Sequence, residues 1–365
     1  MRSRVLCGLA AAVALLVTGC GSSGGAKSAD TGTATAAAPG GGTSSAAAFP
    51  VKATDCAGKE TVFDSAPKKI VTSNASSLEM LLKLGAGDRV IGTGFPPGKG
   101  TLPADIADAG AKVPVLGDMV IPKEKLLGSG ADLYVETFAD MGGMGGGMGT
   151  APTAQEYQAA GIKRVFLRST SCAATAPAAV QDLTGVEGDI RSLGQVTGTS
   201  AGADALVAGM EEKVGAVKTA LAGVAPDKRP GYFFFDFDAG TKQPMAVGNR
   251  QVANAVITLA GARNVFGDLD GDFKPVSWED VVAKNPDWIQ LGVRDRGSEA
   301  ENRKAFDEAE KFLRDFPATK GLKAVQEGHF VRIGSEVTTI PGTRNADTVQ
   351  RIAHALFPDQ VKDAQ

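Results

Sequence analysis

The chain has 365 residues, with 38 lysines and arginines against 41 aspartates and glutamates and a formal charge of −3. No basic cluster interrupts that balance, which argues against a nucleic-acid partner. Two histidines are too few for a bare zinc or manganese site, so no metal held directly by the protein and no cofactor is expected.

The N-terminus carries Arg2 and Arg4, then an apolar run from Val5 to Val17, then Thr18-Gly19-Cys20. A charged start, a short apolar core and small residues before a cysteine describe an export signal, and the run is too short to span a bilayer. Val17-Thr18-Gly19-Cys20 resembles the lipobox of bacterial lipoproteins, which implies removal of residues 1–19 and lipidation of Cys20. An ordinary secretory signal with an incidental cysteine is the alternative. Residues 20–49 are almost entirely Gly, Ser, Ala and Thr and cannot bury enough apolar surface to order themselves, so they read as a slack tether. Cys56 and Cys172 remain, an even pair in an exported chain, and a disulfide between them is expected. Two buried free thiols are the alternative.

Residues 50–198 read as a first α/β lobe. Lys69–Thr72 has the composition of a short buried strand, with Ser73 to Ala75 as the loop at its end, where α/β proteins usually bind ligands. Ser76 and Glu79 have capping-box spacing, which predicts a helix start, and Gly85 is a natural stop. Leu78, Leu81 and Leu82 give that helix one apolar face. Further strands are expected at Arg89–Gly92, Leu133–Glu136 and Arg164–Leu167, with a helix opened by Thr153 and Glu156 and ended by Gly161. Strands separated by helices imply a parallel sheet with covered faces. Met141, Met144 and Met148 are spaced by glycines and read as a mobile loop against an apolar ligand, since glycine spacing gives a Cu(I) thioether site no fixed geometry.

A helix is expected over Asp189 to Val196, and another over 199–224. In the second, Leu206, Met210, Val214, Val217 and Leu221 form one apolar stripe, and this helix is read as the connection between lobes. Gly198-Thr199-Ser200-Ala201-Gly202 fits the pattern of a nucleophile elbow, but that motif requires a strand before the serine where this chain reads as helix. Thr199 or Ser200 is expected to be an N-cap instead. With no phosphate loop, binding without turnover is expected. A lipoprotein hydrolase and a cell-wall structural lipoprotein are the rival readings.

Residues 225–365 read as a second lobe, with strands at Tyr232–Phe235, Trp288–Leu291 and Phe330–Ile333. Its helices are expected near Val252–Ala260, Trp278–Lys284, Arg303–Asp315 and Asp347–Leu356. Leu81 to Gly92 can be laid without a gap on Val256 to Gly267, and Glu124 with Asp132 has the spacing of Glu279 with Asp287. Two pieces recurring in one order point to two related lobes.

The stretch from Pro67 through Glu79, Leu84-Gly85-Ala86-Gly87-Asp88-Arg89 and Gly92 resembles the substrate-binding lipoproteins of ABC importers for iron–siderophore complexes, cobalamin or haem. Glu124 to Leu133, Leu259 to Phe266 and Val276 to Asp287 add to the likeness, which runs from about Val62 to Pro358. The resemblance implies two Rossmann-like α/β lobes with parallel-type sheets, joined by one long helix, with the ligand in the cleft between them. It also implies an ABC permease and its ATPase as partners and a small metal chelate as ligand. A ferric siderophore is expected first, with cobalamin or haem as alternatives. The protein is expected to be a monomer, lipid-anchored at the outer face of the cytoplasmic membrane. Strand ends and the family likeness together nominate Ser73, Asn74, Phe95, Asp118, Phe138, Asp236, Phe237, Asp238, Phe273, Arg294, Arg296, Thr338 and Thr339 as ligand contacts. Their mix of aromatic and polar groups suits a bulky chelate. Glu124 and Glu279 take the places where the family carries one docking glutamate per lobe.

Overall fold

The computed structural model describes residues 48–98, 100–138, 151–173 and 178–362. Residues 1–47, which include the expected signal, Cys20 and most of the expected tether, lie outside the described residues, as do Asp140 and the Met141–Met148 stretch.

The chain opens on a hairpin, β1 (Val51–Thr54) against β2 (Glu60–Phe63), and enters the first lobe at β3 (Ile70–Thr72). There follow α1 (Ala75–Lys83), β4 (Val90–Gly94), α2 (Ala104–Gly110), β5 (Val115–Gly117), α3 (Lys123–Leu127), β6 (Leu133–Glu136), α4 (Ala154–Ala159), β7 (Lys163–Phe166) and α5 (Arg168–Ser171). The sheet order is β5-β4-β3-β6-β7 and every pairing is parallel. Helices α6 (Thr184–Thr197) and α7 (Ser200–Ala220) come next.

The second lobe contains β8 (Gly231–Asp236), β9 (Met245–Val247), α8 (Val252–Leu259), β10 (Arg263–Asn264), β11 (Phe273–Pro275), α9 (Trp278–Lys284) and β12 (Trp288–Gly292). It closes with α10 (Glu299–Asp315), α11 (Lys323–Glu327), β13 (Phe330–Arg332), α12 (Ser335–Thr339) and α13 (Asn345–Leu356). Its main sheet runs β10-β8-β12-β13, again parallel, while β9 and β11 form a small antiparallel pair. Among the described residues no helix is long and apolar enough to cross a membrane.

Among the described residues three apolar clusters hold this together, the smallest packing Val71 and Tyr134 of the first sheet against Leu126 and Tyr157 of α3 and α4. Of the two larger ones, the first runs from Leu78 and Leu81 of α1 through Ile190 and Val207 of α6 and α7 to Val256 and Ile352 of the second lobe. The other is aromatic, with Phe233, Phe235, Phe266 and Trp278 against Phe312 and Phe316. Because side chains alternate along a strand, β8 sends Tyr232 and Phe234 to the first core and Phe233 and Phe235 to the second.

The two lobes repeat one hydrogen-bond plan. Asp132 sits just before β6 and accepts from the amides of Lys68 (2.8 Å) and Lys69 (2.9 Å) at the start of β3. Asp287 sits just before β12 and accepts from the amide of Gly231 (2.7 Å) at the start of β8. The ungapped alignment is nonetheless one residue out of register. Helix α1 closes with Ala86 N–H donating to the Leu81 carbonyl and α8 with Ala262 donating to Ile257, so Gly85 (φ 74°) corresponds to Gly261 (φ 83°). Both glycines occupy the left-handed position that ends a helix. A 3₁₀ turn at Gly87–Arg89 then lengthens the path to β4 in the first lobe.

Three local expectations change. The cap of α1 is Asn74, whose Oδ1 accepts from Ser77 N–H at 3.1 Å, not Ser76 with Glu79. Asn74 keeps extended dihedrals, so the helix starts earlier than the spacing suggested, and Glu79 faces the interior. In α7 the buried line is Ala203, Val207, Met210, Val217 and Leu221, with Leu206 and Val214 half-buried beside it. Gly194 explains the close crossing with α6: a Cβ there would fall 2.5 Å from that of Ala203. Thr199 is the N-cap residue of α7, as expected, but its hydroxyl makes no bond to the helix and pairs instead with that of Thr197. Ser200 follows a helix and a left-handed Gly198, which is not the strand-to-helix turn of a nucleophile elbow. Cys56 and Cys172 form the disulfide, with Cα atoms 5.3 Å apart, joining the β1–β2 turn to the end of α5.

A cleft between the carboxyl ends of the two sheets

In parallel sheets the loops after the strands carry the site. Here the segments after β3, β4, β12 and β13 open onto one cleft of about 440 Å³, lined from both lobes. Asn74 to Ser76, Glu79 and Phe95 to Gly98 contribute from the first lobe. Val293 to Arg296, Phe306, Arg332, Glu336, Val337, Ile340, Thr343, Arg344 and Arg351 contribute from the second. An outer groove of about 470 Å³ shares Thr101, Asp295, Asn302, Phe306 and Arg332 with it.

The walls are apolar at Phe95, Pro96, Pro97, Phe306, Val337 and Ile340. Phe95 is one of two described non-glycine residues with positive φ (29°), and its carbonyl accepts from Ala75 N–H at 3.0 Å. Such backbone is held in place by its surroundings and concentrates where a side chain must point at a ligand.

Five arginines line the cleft, and their pairing differs. Arg296 pairs with Asp238, Arg332 with Asp307 (2.7 Å) and Glu310 (2.8 Å), and Arg344 with Glu79 (2.8 Å). Arg294 and Arg351 are exposed and make no direct ion pair among the described residues. Burial pushes the carboxyls of Asp236 and Glu336 above their ordinary range, partly offset by the charge of Arg294. Asp295 also lines the cleft and, among the described residues, accepts only neutral donors, Gly297 N–H at 2.7 Å and Asn302 Nδ2 at 3.1 Å, so the two guanidiniums share the cleft with that carboxylate.

Of the nominated contacts, Asn74, Phe95, Arg294 and Arg296 line the cleft. The others stand outside its lining. Ser73 adjoins Asn74, and its hydroxyl donates to that of Thr137 at 3.1 Å. Asp118 is exposed beyond β5, and Phe138 is half-buried beyond β6. Asp236 accepts from Ala239 N–H (3.3 Å), Phe237 packs on Phe235 with ring centres 6.0 Å apart, and Asp238 accepts from Arg294 N–H (2.6 Å). These three shape the loop rather than face the cavity. Phe273 lies within β11, paired with Val247. Its neighbour Asp272 is pushed up to about 6 by burial. Thr338 is fully buried, bonded to Gln290 Nε2 at 2.8 Å, and Thr339 donates to the Ser335 carbonyl at 2.9 Å. Sequence reasoning missed Pro96, Pro97, Gly98 and Thr101, although Pro-Pro-Gly directly after a strand is a loop signal. It also missed Asn302, Phe306, Arg332, Glu336, Thr343, Arg344 and Arg351, which helix and strand packing brings in.

Glu124 and Glu279 are both exposed and both second residues of their helices, α3 and α9. Neither makes an ion pair among the described residues.

Residues 70–337 match the periplasmic binding protein family. The chain is similar to an uncharacterized ABC transporter substrate-binding lipoprotein of Bacillus subtilis, 23% identical over 318 residues, covering 86% of this chain and 88% of that protein. It is also similar to a cobalamin-binding protein of Halobacterium salinarum, 23% identical over 322 residues, covering 85% of this chain and 75% of that one. The solved structure of an ABC-type Fe3+-hydroxamate transport system from Saccharomonospora viridis superposes with a TM-score of 0.67 at 23% identity, covering 85% of this chain and 100% of that chain. A match over more than half the sequence, with both sheets opening on one cleft, shows that this chain belongs to the periplasmic binding protein family, whose members bind ligands rather than turn them over.

Proposed function

We propose that this protein captures an anionic metal chelate, a ferric siderophore, outside the cytoplasmic membrane and delivers it to an ABC permease and its ATPase. The observation that carries the reading is two exposed guanidiniums without a direct ion pair among the described residues, Arg294 and Arg351, beside the apolar walls of Phe95 and Phe306. A chelate with carboxylate or catecholate edges and an organic body matches both features. Haem fits less well: no His, Tyr, Cys or Met among the described lining residues offers an axial ligand. Cobalamin is the second reading, supported by the Halobacterium relative, but its amide rim leaves less for two free arginines to meet.

The test is a tryptophan-quenching titration with ferric catecholate and carboxylate siderophores, cobalamin and haem. Trp278 and Trp288 both lie in the second lobe outside the cleft lining, so a coloured ligand would quench them at a distance. Saturable quenching by the ferric siderophores is expected, with Arg294→Gln and Arg351→Gln each weakening affinity by roughly tenfold or more, the scale of one charge-assisted hydrogen bond. Saturable quenching by cobalamin or haem alone would overturn the assignment.

The same reading takes residues 1–19 as signal, Cys20 as the lipidated anchor, 20–49 as tether, and lobes 50–198 and 225–365 about the helix of 199–224. The body would act as a monomer, with Glu124 and Glu279 meeting the permease. Cys20→Ala is expected to move the protein from the membrane fraction into the medium. Retention on membranes would rule the anchor out.

A further inference from the structure

We infer that Glu79 is a positioning residue: it latches the two lobes together across the cleft and holds Arg344 in the cleft wall. Glu79 belongs to α1 of the first lobe and is only 3% exposed. A carboxylate so placed is costly unless it is paired and hydrogen-bonded. Its pair and its hydroxyl donor both come from the second lobe: Arg344 Nε at 2.8 Å on one oxygen, Thr343 Oγ1 at 2.6 Å on the other.

The neighbouring bonds run the same way. Ser76 lies three residues earlier, on the same helix face, and its hydroxyl donates to the Pro341 carbonyl. Gly342 approaches so closely that a Cβ there would stand 2.8 Å from Ser76 Oγ. Arg344 Nη1 donates to the Thr101 carbonyl at 3.1 Å. The strap from Pro341 to Arg344, leading into α13, is thus seated on α1 of the opposite lobe. Ser76, Glu79, Gly342, Thr343 and Arg344 all line the cleft. Helix α7 connects the lobes along the chain, and this strap ties them a second time beside the ligand. The latch therefore governs cleft width and the aim of Arg344, and it serves the binding role proposed above.

Hydrogen exchange of the ligand-free, full-length protein tests it without any ligand, so a failed siderophore titration leaves the result readable. In Glu79→Gln the amide side chain carries no charge for Arg344 and has only one oxygen to divide between Arg344 and Thr343. Exchange at residues 95–101, 293–297 and 340–345, the facing rims of the cleft, is expected to rise about tenfold, the response to losing one charge-assisted bond. Arg344→Gln should do the same, and the double substitution should add nothing further. Gly342→Ala, which alters the close approach and leaves the charges alone, should reproduce the pattern and answers the question if Glu79→Gln fails to fold. Unchanged rims would overturn the inference. So would acceleration spread through β3, β4 and the body of α1, the mark of a residue that merely stabilises its own lobe.

Discussion

Alanine at both Glu124 and Glu279 is expected to lower ligand import by at least about tenfold while leaving ligand affinity and unfolding unchanged. Both carboxylates are exposed in the first turn of a short helix. A first-turn acid contributes only about 0.3–1 kcal/mol to its helix, so the fold should tolerate the change. Their equivalence rests on more than spacing. Each helix leads into an aspartate, Asp132 or Asp287, that clamps the start of the lobe's first sheet strand. The repeat therefore presents one carboxylate per lobe in matching places, suited to a permease that offers two matching cationic sites. Charges of this kind orient partners and speed encounter more than they add affinity, so the loss should be steepest at low protein concentration and at low salt, and should shrink as salt screens the wild-type charges. Uptake of radiolabelled ligand by cells carrying the double variant is the measurement. Normal uptake would remove both residues from the docking role.

Replacing Cys56 and Cys172 by serine is expected to cost about 4–5 kcal/mol of stability, the chain-entropy value for closing a loop of this length. The bridge spans 116 residues. It holds a two-stranded hairpin, a unit that is marginal by itself. Beyond the disulfide, Lys163 adds an anchor, donating to the Val62 carbonyl at 2.6 Å with its ammonium 5.2 Å from the Phe63 ring centre. Urea unfolding of the wild type with and without reductant, beside the double serine variant, gives the comparison. Reduced wild type and variant should coincide, and a loss below about 1 kcal/mol would show that the hairpin docks without the bridge. Neither cysteine lines the cleft, so ligand affinity should stay the same.

The architecture was legible because it is written in local patterns. Leu133–Glu136 and Trp278–Lys284 begin and end where composition and period place them. The apolar spacing after Ser200 marks the long helix, although its buried line includes Ala203 and Val207, small or neighbouring residues that a search for large side chains passes over. What stayed hidden was short or edge structure. Strand β5 has three residues at a sheet edge and β10 has two, too few for an alternating pattern to register.

The cleft divides along the same line. Asn74, Phe95, Arg294 and Arg296 follow strands directly, and the rule that parallel sheets bind ligands at their carboxyl ends finds them without coordinates. Thr338 looked alike in sequence, yet it is buried against Gln290 because α12 turns it inward. Phe306, Arg344 and Arg351 reach the cleft from helices or the turn before one, which pack across it, and no local pattern encodes which helix face meets the opposite lobe. Glu79 shows the limit most clearly. Its spacing from Ser76 satisfies a capping rule, but Asn74 captures the helix start, and the carboxylate is drawn to an arginine 265 residues away in the chain. Sequence alone determined two related parallel-sheet lobes, the disulfide pair and the strand ends that open on the cleft, since these follow from neighbouring residues. The tertiary structure alone decided which of the described cleft arginines find an ion-pair partner and which do not, because pairing between lobes depends on where the backbones finally meet.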